Sequence, residues 1–416
     1  MTHIAVLGAG ITGITTAFQL MERGFDVTVI DRQRYAGMET SFANGGQLSA
    51  SNAEVWTHPM TILKAIKWLM RKDAPLLMNP RPGWHKISWM TEFLANIPHY
   101  KRNTIKTAEL AIRAREHLLG MADRAECDFD WSPAGILHFY ESEADFKHAR
   151  EVSRLLSQGG LRREELTASE VRAKEPTLTG EFVGGFWTES DSTGDIHKFT
   201  MGLARACEKG GVTFVHGATV KHVEDTGQNI RIACDTVALE ADKVVVCAGV
   251  GSREIARQFG DRANVYPVKG YSITVDLKDR VSRLRAPTVS LLDDKAKLVT
   301  SRLGETRFRV AGTAEFNGYN YDIRADRIKP LTDWVNRLFP EVSTEYVTPW
   351  AGLRPMMPSM MPKVEQGRSP RVFYNTGHGH LGWTLSGVTA HMIAEQVVQS
   401  EKKSRPAIAI VRTASA

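Results

Sequence analysis

Ile4-Ala5-Val6-Leu7, followed at once by Gly8-Ala9-Gly10-Ile11-Thr12-Gly13, is the stretch that decides the fold. An apolar run of strand length leads into G-x-G-x-x-G, then into a segment of helical periodicity over 14–22 that closes on Gly24. A second apolar run over 27–30 ends in Asp31, close to the ~20-residue spacing at which a dinucleotide fold sets an acid on a ribose. Gly8 permits the tight turn, Gly10 lets the backbone approach a pyrophosphate, and Gly13 lets helix and strand pack closely. The helix start at Ile11-Thr12 offers unpaired N–H groups to phosphates. A lone fingerprint also describes an ordinary glycine turn. Here strand, turn, helix, second strand and terminal acid come in the right order, so the stretch reads as a dinucleotide cradle.

Working outward, 416 residues suggest two domains, interleaved along the chain. Hydrophobic content of 42% and charged content of 24% are those of a globular protein. The net charge of +6 fits an acidic ligand or an anionic membrane surface, but no Lys/Arg block or nucleic-acid motif accompanies it, so nucleic acid is set aside. Cys127, Cys207, Cys234 and Cys247 are scattered without metal-ligand spacing, so no metal is expected. They read as reduced, packed thiols. A strand within three residues of Met1 leaves no room for a cleavable signal peptide, and no apolar run reaches the ~18 residues of a membrane span. A cytoplasmic protein is expected, with peripheral contact at the inner face of the membrane as the alternative.

After Asp31-Arg32 comes the polar, glycine-bearing run Glu39-Thr40-Ser41-Phe42-Ala43-Asn44-Gly45-Gly46-Gln47. It sits just past the second strand, beside the expected pyrophosphate, and reads as ligand-contacting. Between 59 and 100, three tryptophans and several basic residues place Ile62, Ile66 and Leu69 or Met70 at helical spacing. This is either a membrane-surface helix or an amphipathic helix packed on the second domain, and the second is preferred. Helices are expected over 103–123, 143–158, 166–178, 196–209 with Asp195 as its cap, 326–338 and 384–399. Strands over 212–215, 220–224, 230–233 and 243–247 lead to Ala248-Gly249 and return the chain to the first sheet. Those over 266–275, 288–292, 298–302 and 308–312 form a separate sheet.

A second G-x-G-x-x-G, Gly377-His378-Gly379-His380-Leu381-Gly382, again lies between a strand and a helix. The strand and acid that a second nucleotide would need do not follow, so one dinucleotide is read. The second glycine run then aims N–H groups and the positive end of the last helix at the same ligand. An isoalloxazine gains negative charge at N1 and the C2 carbonyl on reduction, and a helix N-terminus stabilises it. The architecture therefore prefers FAD to NAD.

Several of these stretches, taken together, carry a resemblance. They are the N-terminal fingerprint, Glu39-Thr40-Ser41 with Ala43-Asn44-Gly45, Tyr266-Pro267-Val268-Lys269-Gly270-Tyr271-Ser272, Gly352-Leu353-Arg354-Pro355, and Asn375-Thr376-Gly377-His378-Gly379 with Leu381-Gly382-Trp383-Thr384. In combination the chain resembles the bacterial D-amino-acid dehydrogenase family, within the D-amino-acid oxidase, glycine oxidase and sarcosine oxidase superfamily. The resemblance implies an α/β fold: a discontinuous glutathione-reductase-type FAD-binding Rossmann domain beside an antiparallel-sheet α+β substrate domain. The expected boundaries are 1–54, 170–255 and 350–416 for the FAD domain, and 55–169 and 256–349 for the substrate domain.

It also implies hydride transfer from a D-amino acid to flavin N5, giving an imino acid that hydrolyses to a 2-oxo acid and ammonia. Electrons then pass to a quinone or another carrier. A D-proline or hydroxy-D-proline dehydrogenase, a glycine- or sarcosine-type oxidase using O₂, and a non-catalytic flavoprotein subunit stay open. Arg354 falls where relatives hold the substrate carboxylate, and a guanidinium grips a carboxylate with two parallel hydrogen bonds. Tyr271 is a candidate second carboxylate contact or lid. His378 and His380 are candidates beside the flavin or the substrate amine. Lys269 and Lys297 read as solvated strand lysines rather than flavin N5 neighbours. Val220 falls where relatives touch the adenine side. No cysteine lies near Arg354, where Met356 and Met357 follow, so the FAD is expected to be non-covalent.

Overall fold

The computed structural model describes residues 1–59 and 75–404, the last two without their side chains. The basic, tryptophan-bearing helix expected over 62–71 lies outside the described residues.

Strand His3–Leu7 is the middle of a six-stranded sheet whose order is Lys363–Gln366, Val372–Thr376, Lys243–Val246, His3–Leu7, Asp26–Asp31, Thr213–His216. All pairings are parallel except that of the outermost strand, Lys363–Gln366. Parallel strands are covered on both faces, which is why the first strand reads as a continuous apolar run. Ile4 and Val6 face the helices Ile11–Glu22, Ile196–Lys209 and Gly382–Ser404 through Phe18, Phe199 and Ile393. Ala5 and Leu7, on the opposite face, pack with Ile230, Ile232 and Ile255. Those come from helix Ser252–Gln258 and a three-stranded antiparallel layer, Val220–Asp225, Ile230–Cys234 and Ala238–Ala241.

The second body is a mainly antiparallel sheet. Its order is Val347–Met356, Tyr266–Asp276, Arg307–Phe316, Leu298–Leu303, Ser290–Asp293, Ile136–Tyr140, Gly184–Thr188, Glu164–Leu166, and Leu76–Met78 joins it parallel to Arg307–Phe316. Its outer face buries Ile273, Val275 and Phe308 against Leu331, Trp334 and Leu338 of helix Ala325–Leu338.

Two strands lie on this sheet although the sequence boundaries put them with the nucleotide part. Val347–Met356 pairs with Tyr266–Asp276 over ten residues, and Gly184–Thr188 pairs with Ile136–Tyr140. Pro349 and Pro355 obscure the first as a strand, yet proline is tolerated there because it is the sheet edge. Helix Tyr100–Arg124 ties the two bodies: Ala108, Ala111 and Ala114 pack on Leu385 and Val388 of the last helix. The contact is close enough that a Cβ on Gly387 would meet the Ala114 carbonyl oxygen at 2.8 Å.

Candidate active site

The glycine turn closes as its sequence dictates. Gly8 has φ +110°, a left-handed region open to glycine, and its N–H donates to the Ile30 carbonyl at 2.8 Å. A Cβ on Gly13 would stand 1.8 Å from the Gly8 carbonyl oxygen, so that residue is fixed by helix-to-turn packing. Gly10 is different: its Cβ would meet only the Ser41 hydroxyl, at 3.5 Å. Protein packing leaves Gly10 free, so the requirement for glycine there comes from whatever fills the cavity in front of it.

That cavity, about 930 Å³, runs between the two bodies. At one end it is lined by Gly8, Ala9, Gly10, Ile11, Thr12, Asp31, Arg32, Val220, Ala248 and Gly249. Asp31 accepts from the Ala9 N–H at 2.6 Å and the Gln33 N–H at 2.7 Å, so its carboxylate holds the turn in shape as well as facing the cavity. Burial pushes its pKa up, opposed by those two N–H groups. Arg32 pairs with Glu39 at 2.5 Å.

The loop 39–47 also lines it, clasped by the substrate sheet. The Ser272 hydroxyl donates to the Ala43 carbonyl and the Ser301 hydroxyl to that of Gly45, both at 2.7 Å, and Arg309 donates to that of Asn44 at 3.0 Å. The Thr40 hydroxyl donates to the Leu353 carbonyl and the Ser41 hydroxyl accepts from Ile11 N–H. Asn44 Oδ1 accepts from Gly46 N–H, and the Gln47 amide donates to Ser290 and Leu291. A Cβ on Gly45 would strike Val299 at 2.4 Å. The side chains of this loop fix its shape, and its backbone is what faces the cavity.

The second glycine run forms the floor. Gly377 and Gly379 have φ +78° and +61°, and Cβ atoms there would meet Met357 and Met356 at 2.4 and 2.8 Å. The turn Gly379–Leu381 then starts the last helix at Gly382. Leu381 and Trp383 bury their side chains in the core, and the Thr384 hydroxyl accepts from Ser49 N–H at 3.2 Å. A phosphate-sized approach at Gly10 and a helix start at the far side fit a flavin dinucleotide lying between them.

Beyond this floor lies Arg354. It is half-buried, its Nη1 donates to the Thr313 carbonyl at 2.7 Å and its Nη2 to that of Gly312 at 3.4 Å. It forms no ion pair with any described carboxylate, and burial alone pushes its pKa down to about 10. The guanidinium lies over Gly270, where a Cβ would sit 2.4 Å from its central carbon. Thr313 itself has φ +56°, and its buried hydroxyl has no partner among the described residues. Strain of this kind at a non-glycine residue accompanies sites held for function.

Two other expected residues are not brought to Arg354. Tyr271 pairs across the sheet with Ala351 while Arg354 pairs with Val268, and alternation along a strand sends neighbours to opposite faces. The Tyr271 hydroxyl donates to Glu315 at 2.8 Å, and its pKa is raised by burial and that carboxylate. Tyr271 therefore borders the cavity with its hydroxyl committed to Glu315 on the face away from Arg354, which does not favour it as a second carboxylate contact. Lys269 lies there too, fully buried, 3.4 Å from Glu315 and donating to Asn320 at 2.6 Å, so it is neither solvated nor near the cavity. His378 is the second correction. Its Nε2 bonds Thr389 at 2.9 Å and burial pushes its pKa down to about 3, so it packs as a neutral ring against the last helix.

The sequence profile of the FAD dependent oxidoreductase (DAO) family matches residues 3–396. The chain belongs to this family. Among its curated relatives, "D-amino acid dehydrogenase 3" of Mesorhizobium japonicum is 60% identical over 400 residues, covering 95% of this chain and 97% of that one. "D-amino acid dehydrogenase" of Dechloromonas aromatica is 39% identical over 422 residues, covering 99% and 100%. Among solved structures, glycine oxidase from Geobacillus kaustophilus superposes with a TM-score of 0.74 at 18% identity, covering 96% and 95%. L-proline dehydrogenase from P. horikoshii gives 0.74 at 15%, covering 96% and 93%. The shared fold is that of FAD-dependent oxidoreductases, which agrees with the cavity's two glycine-lined walls.

Sequence reasoning missed Glu54, Trp56, Asp294 and Thr313, all of which line the cavity of this family member. Lys297, expected as a solvated strand lysine, lines the cavity with them instead, with φ +55° and its Nζ 3.4 Å from Asp294. None belongs to a spaced motif; only the meeting of 49–58 with the substrate sheet brings them together.

Proposed function

We propose that this chain oxidises the α-carbon–nitrogen bond of a D-amino acid, giving an imino acid that hydrolyses to a 2-oxo acid and ammonia, with electrons passed on to a quinone or another carrier. The observation that carries the reading is Arg354: a half-buried cation without a described carboxylate, at the wall of the cavity. FAD, when bound, supplies the acceptor for the electron pair. Arg354 holds the substrate carboxylate in its two-donor fork, and the Gly312 and Thr313 carbonyls set the plane of that fork. Partial burial strengthens the pairing, since a cation with few competing waters gains more from an anion. Gly270 keeps the space over the guanidinium open.

His380 supports the amine. Its Nε2 lies 3.3 Å from the Asn52 carbonyl, which only accepts, so Nε2 carries the proton and Nδ1 is an open acceptor. Nδ1 is buried with no partner among the described residues, and burial pushes the pKa down to about 4. A neutral His380 accepts an N–H of the bound amine. The test is anaerobic mixing of the FAD-loaded protein with matched D- and L-amino acids. Bleaching of the flavin by D-enantiomers is the expected result; bleaching by L-enantiomers only, or by none, rejects the reading.

Contact with a membrane surface is proposed on helix Trp84–Ala95, where Trp84, Ile87 and Leu94 are exposed on one side. No described helix is long and apolar enough to cross a membrane. Co-sedimentation with anionic vesicles at low salt tests it; equal recovery in the supernatant with and without vesicles rejects it.

A further inference from the structure

Past Arg354 the cavity continues between residues 49–58, helix Glu143–Gln158 and the strand Ser290–Asp293. Five charged side chains stand on its wall there: Glu54, Asp145, Asp294, Arg163 and Lys297. Three are answered within the protein. Lys297 and Asp294 lie 3.4 Å apart, and Asp294 also takes the Tyr140 hydroxyl at 2.8 Å. Asp145 takes the Ser142 hydroxyl at 2.7 Å; Arg163 stands over the Phe186 ring at 4.6 Å, while its Nε and Nη2 are buried with no hydrogen-bond partner among the described residues.

Glu54 differs. Its Oε1 accepts from the Tyr100 hydroxyl at 2.7 Å and lies 3.6 Å from His148 Nε2. Its Oε2 accepts no hydrogen bond from any described residue. His148 and Lys297 hold the carboxyl below its ordinary pKa against the cost of burial, so it is ionised at neutral pH. Three carboxylates face two permanent cations, which leaves the chamber one negative charge in excess once Arg354 is matched by a substrate carboxylate. The His380 ring lies in the field of Arg354, Lys297 and Glu54 alike and stacks on Trp56 at 5.2 Å, so these groups surround one space.

We propose that Glu54 receives the cationic end of the substrate side chain, so that the substrate class is D-amino acids bearing an ammonium or guanidinium group. The inference rests on the D-amino acid reading above. Trp56, Ala149 and Val152 line the same chamber and give an apolar wall for the methylene stem of such a side chain. Lys297 would take an acidic side chain only by leaving Asp294, which leaves Arg163 as the one cation of the five that could receive an acid, and D-glutamate is therefore the competing substrate in the test.

The test uses the FAD-loaded protein at neutral pH and compares D-arginine with D-citrulline, which has nearly the same shape without the charge, and D-lysine with D-norleucine. The wild type is expected to favour each cationic substrate by about 10- to 100-fold in kcat/KM, the range of a partly desolvated charge pair. Glu54→Gln, with its flavin spectrum intact, should bring both ratios close to one. Ratios near one in the wild type, a preference for D-glutamate, or ratios that Glu54→Gln leaves unmoved each overturn the proposal. If Glu54→Gln fails to retain FAD, the wild-type ratios decide. Failure of every D-amino acid, cationic or neutral, to bleach the flavin overturns the D-amino acid reading instead, and this proposal falls with it.

Discussion

Gly10 and Gly13 are three residues apart, and their missing side chains matter for opposite reasons. A methyl group at Gly13 must displace the Gly8 carbonyl, which the backbone cannot yield cheaply. Gly13→Ala is expected to lose about 1–3 kcal/mol or more of folding stability in a denaturant titration. Gly10→Val has room in the protein itself, so it should fold with an unchanged far-ultraviolet spectrum and carry no FAD; full occupancy would show the pyrophosphate lies elsewhere. Arg354→Ala leaves the substrate carboxylate desolvated and unmatched, a cost on the order of 3–5 kcal/mol, or roughly a hundredfold to a few thousandfold in kcat/KM. Arg354→Lys keeps the charge without the planar fork and should fall between, with both variants retaining a normal flavin spectrum. Near wild-type kcat/KM in Arg354→Ala places the carboxylate elsewhere. The position of Arg354 on the cavity wall was legible because glycines and a proline frame it in a recognisable run; its role is what these variants test. Tyr271 was misplaced because one step along a strand reverses the face, and only pairing with Val347–Met356 shows which face Gly270 shares with the guanidinium.

At the scale of elements, Asp195 carries two loads. Its Oδ1 caps helix Ile196–Lys209 by accepting from the His197 and Lys198 N–H groups at 2.9 and 3.1 Å, and its Oδ2 accepts from Arg307 of the substrate sheet at 2.8 Å. Asp195→Ala should lose about 1–2 kcal/mol from the cap together with one of the two ion pairs of Arg307, which keeps Asp130 at 2.7 Å, whereas Asp195→Asn keeps much of the cap and loses that ion pair. Against burial, which raises it, Arg307, the Lys198 N–H and the charge of Arg309 lower the folded pKa of Asp195 below the ordinary 3.8. The unfolded state therefore binds the proton more readily. This contribution is fully present above pH 3.8 and disappears as pH falls through the lower folded value, so acid unfolding should begin at higher pH in Asp195→Ala. The cap and the helix behind it were readable from sequence, as were the long helices and the buried parallel strands, because each has a strong period or a stop signal. Gly184–Thr188 and Leu76–Met78 were not: they are short, one is glycine-rich, and their partners are distant in sequence.

The whole molecule closes around its cavity from both bodies, so cofactor and fold are thermodynamically linked. Saturating FAD at about 100 times its Kd should stabilise the folded state by about 2.7 kcal/mol, read as a rise in Tm over the stripped protein. An unchanged Tm would mean that the folded state does not bind FAD in preference to the unfolded chain. Cys247 is the cysteine on the cavity wall; burial pushes its thiol up to about 12, it faces Thr16 at 3.7 Å, and it sits at the glycine-turn end. Acid precipitation should accordingly release the flavin into the supernatant, and colour remaining in the pellet would reveal a covalent link. The sheet order has a last consequence, in time. Of these strands His3–Leu7 leaves the ribosome before the others, its neighbour Lys243–Val246 comes far later, and Val372–Thr376 and the helix that floors the cavity later still. At ~5–20 residues per second, the first-made glycine turn waits roughly 20–75 s for its last wall. Through that interval the nascent chain carries an apolar strand with one bare edge, so slower translation is expected to lengthen the exposure of that edge.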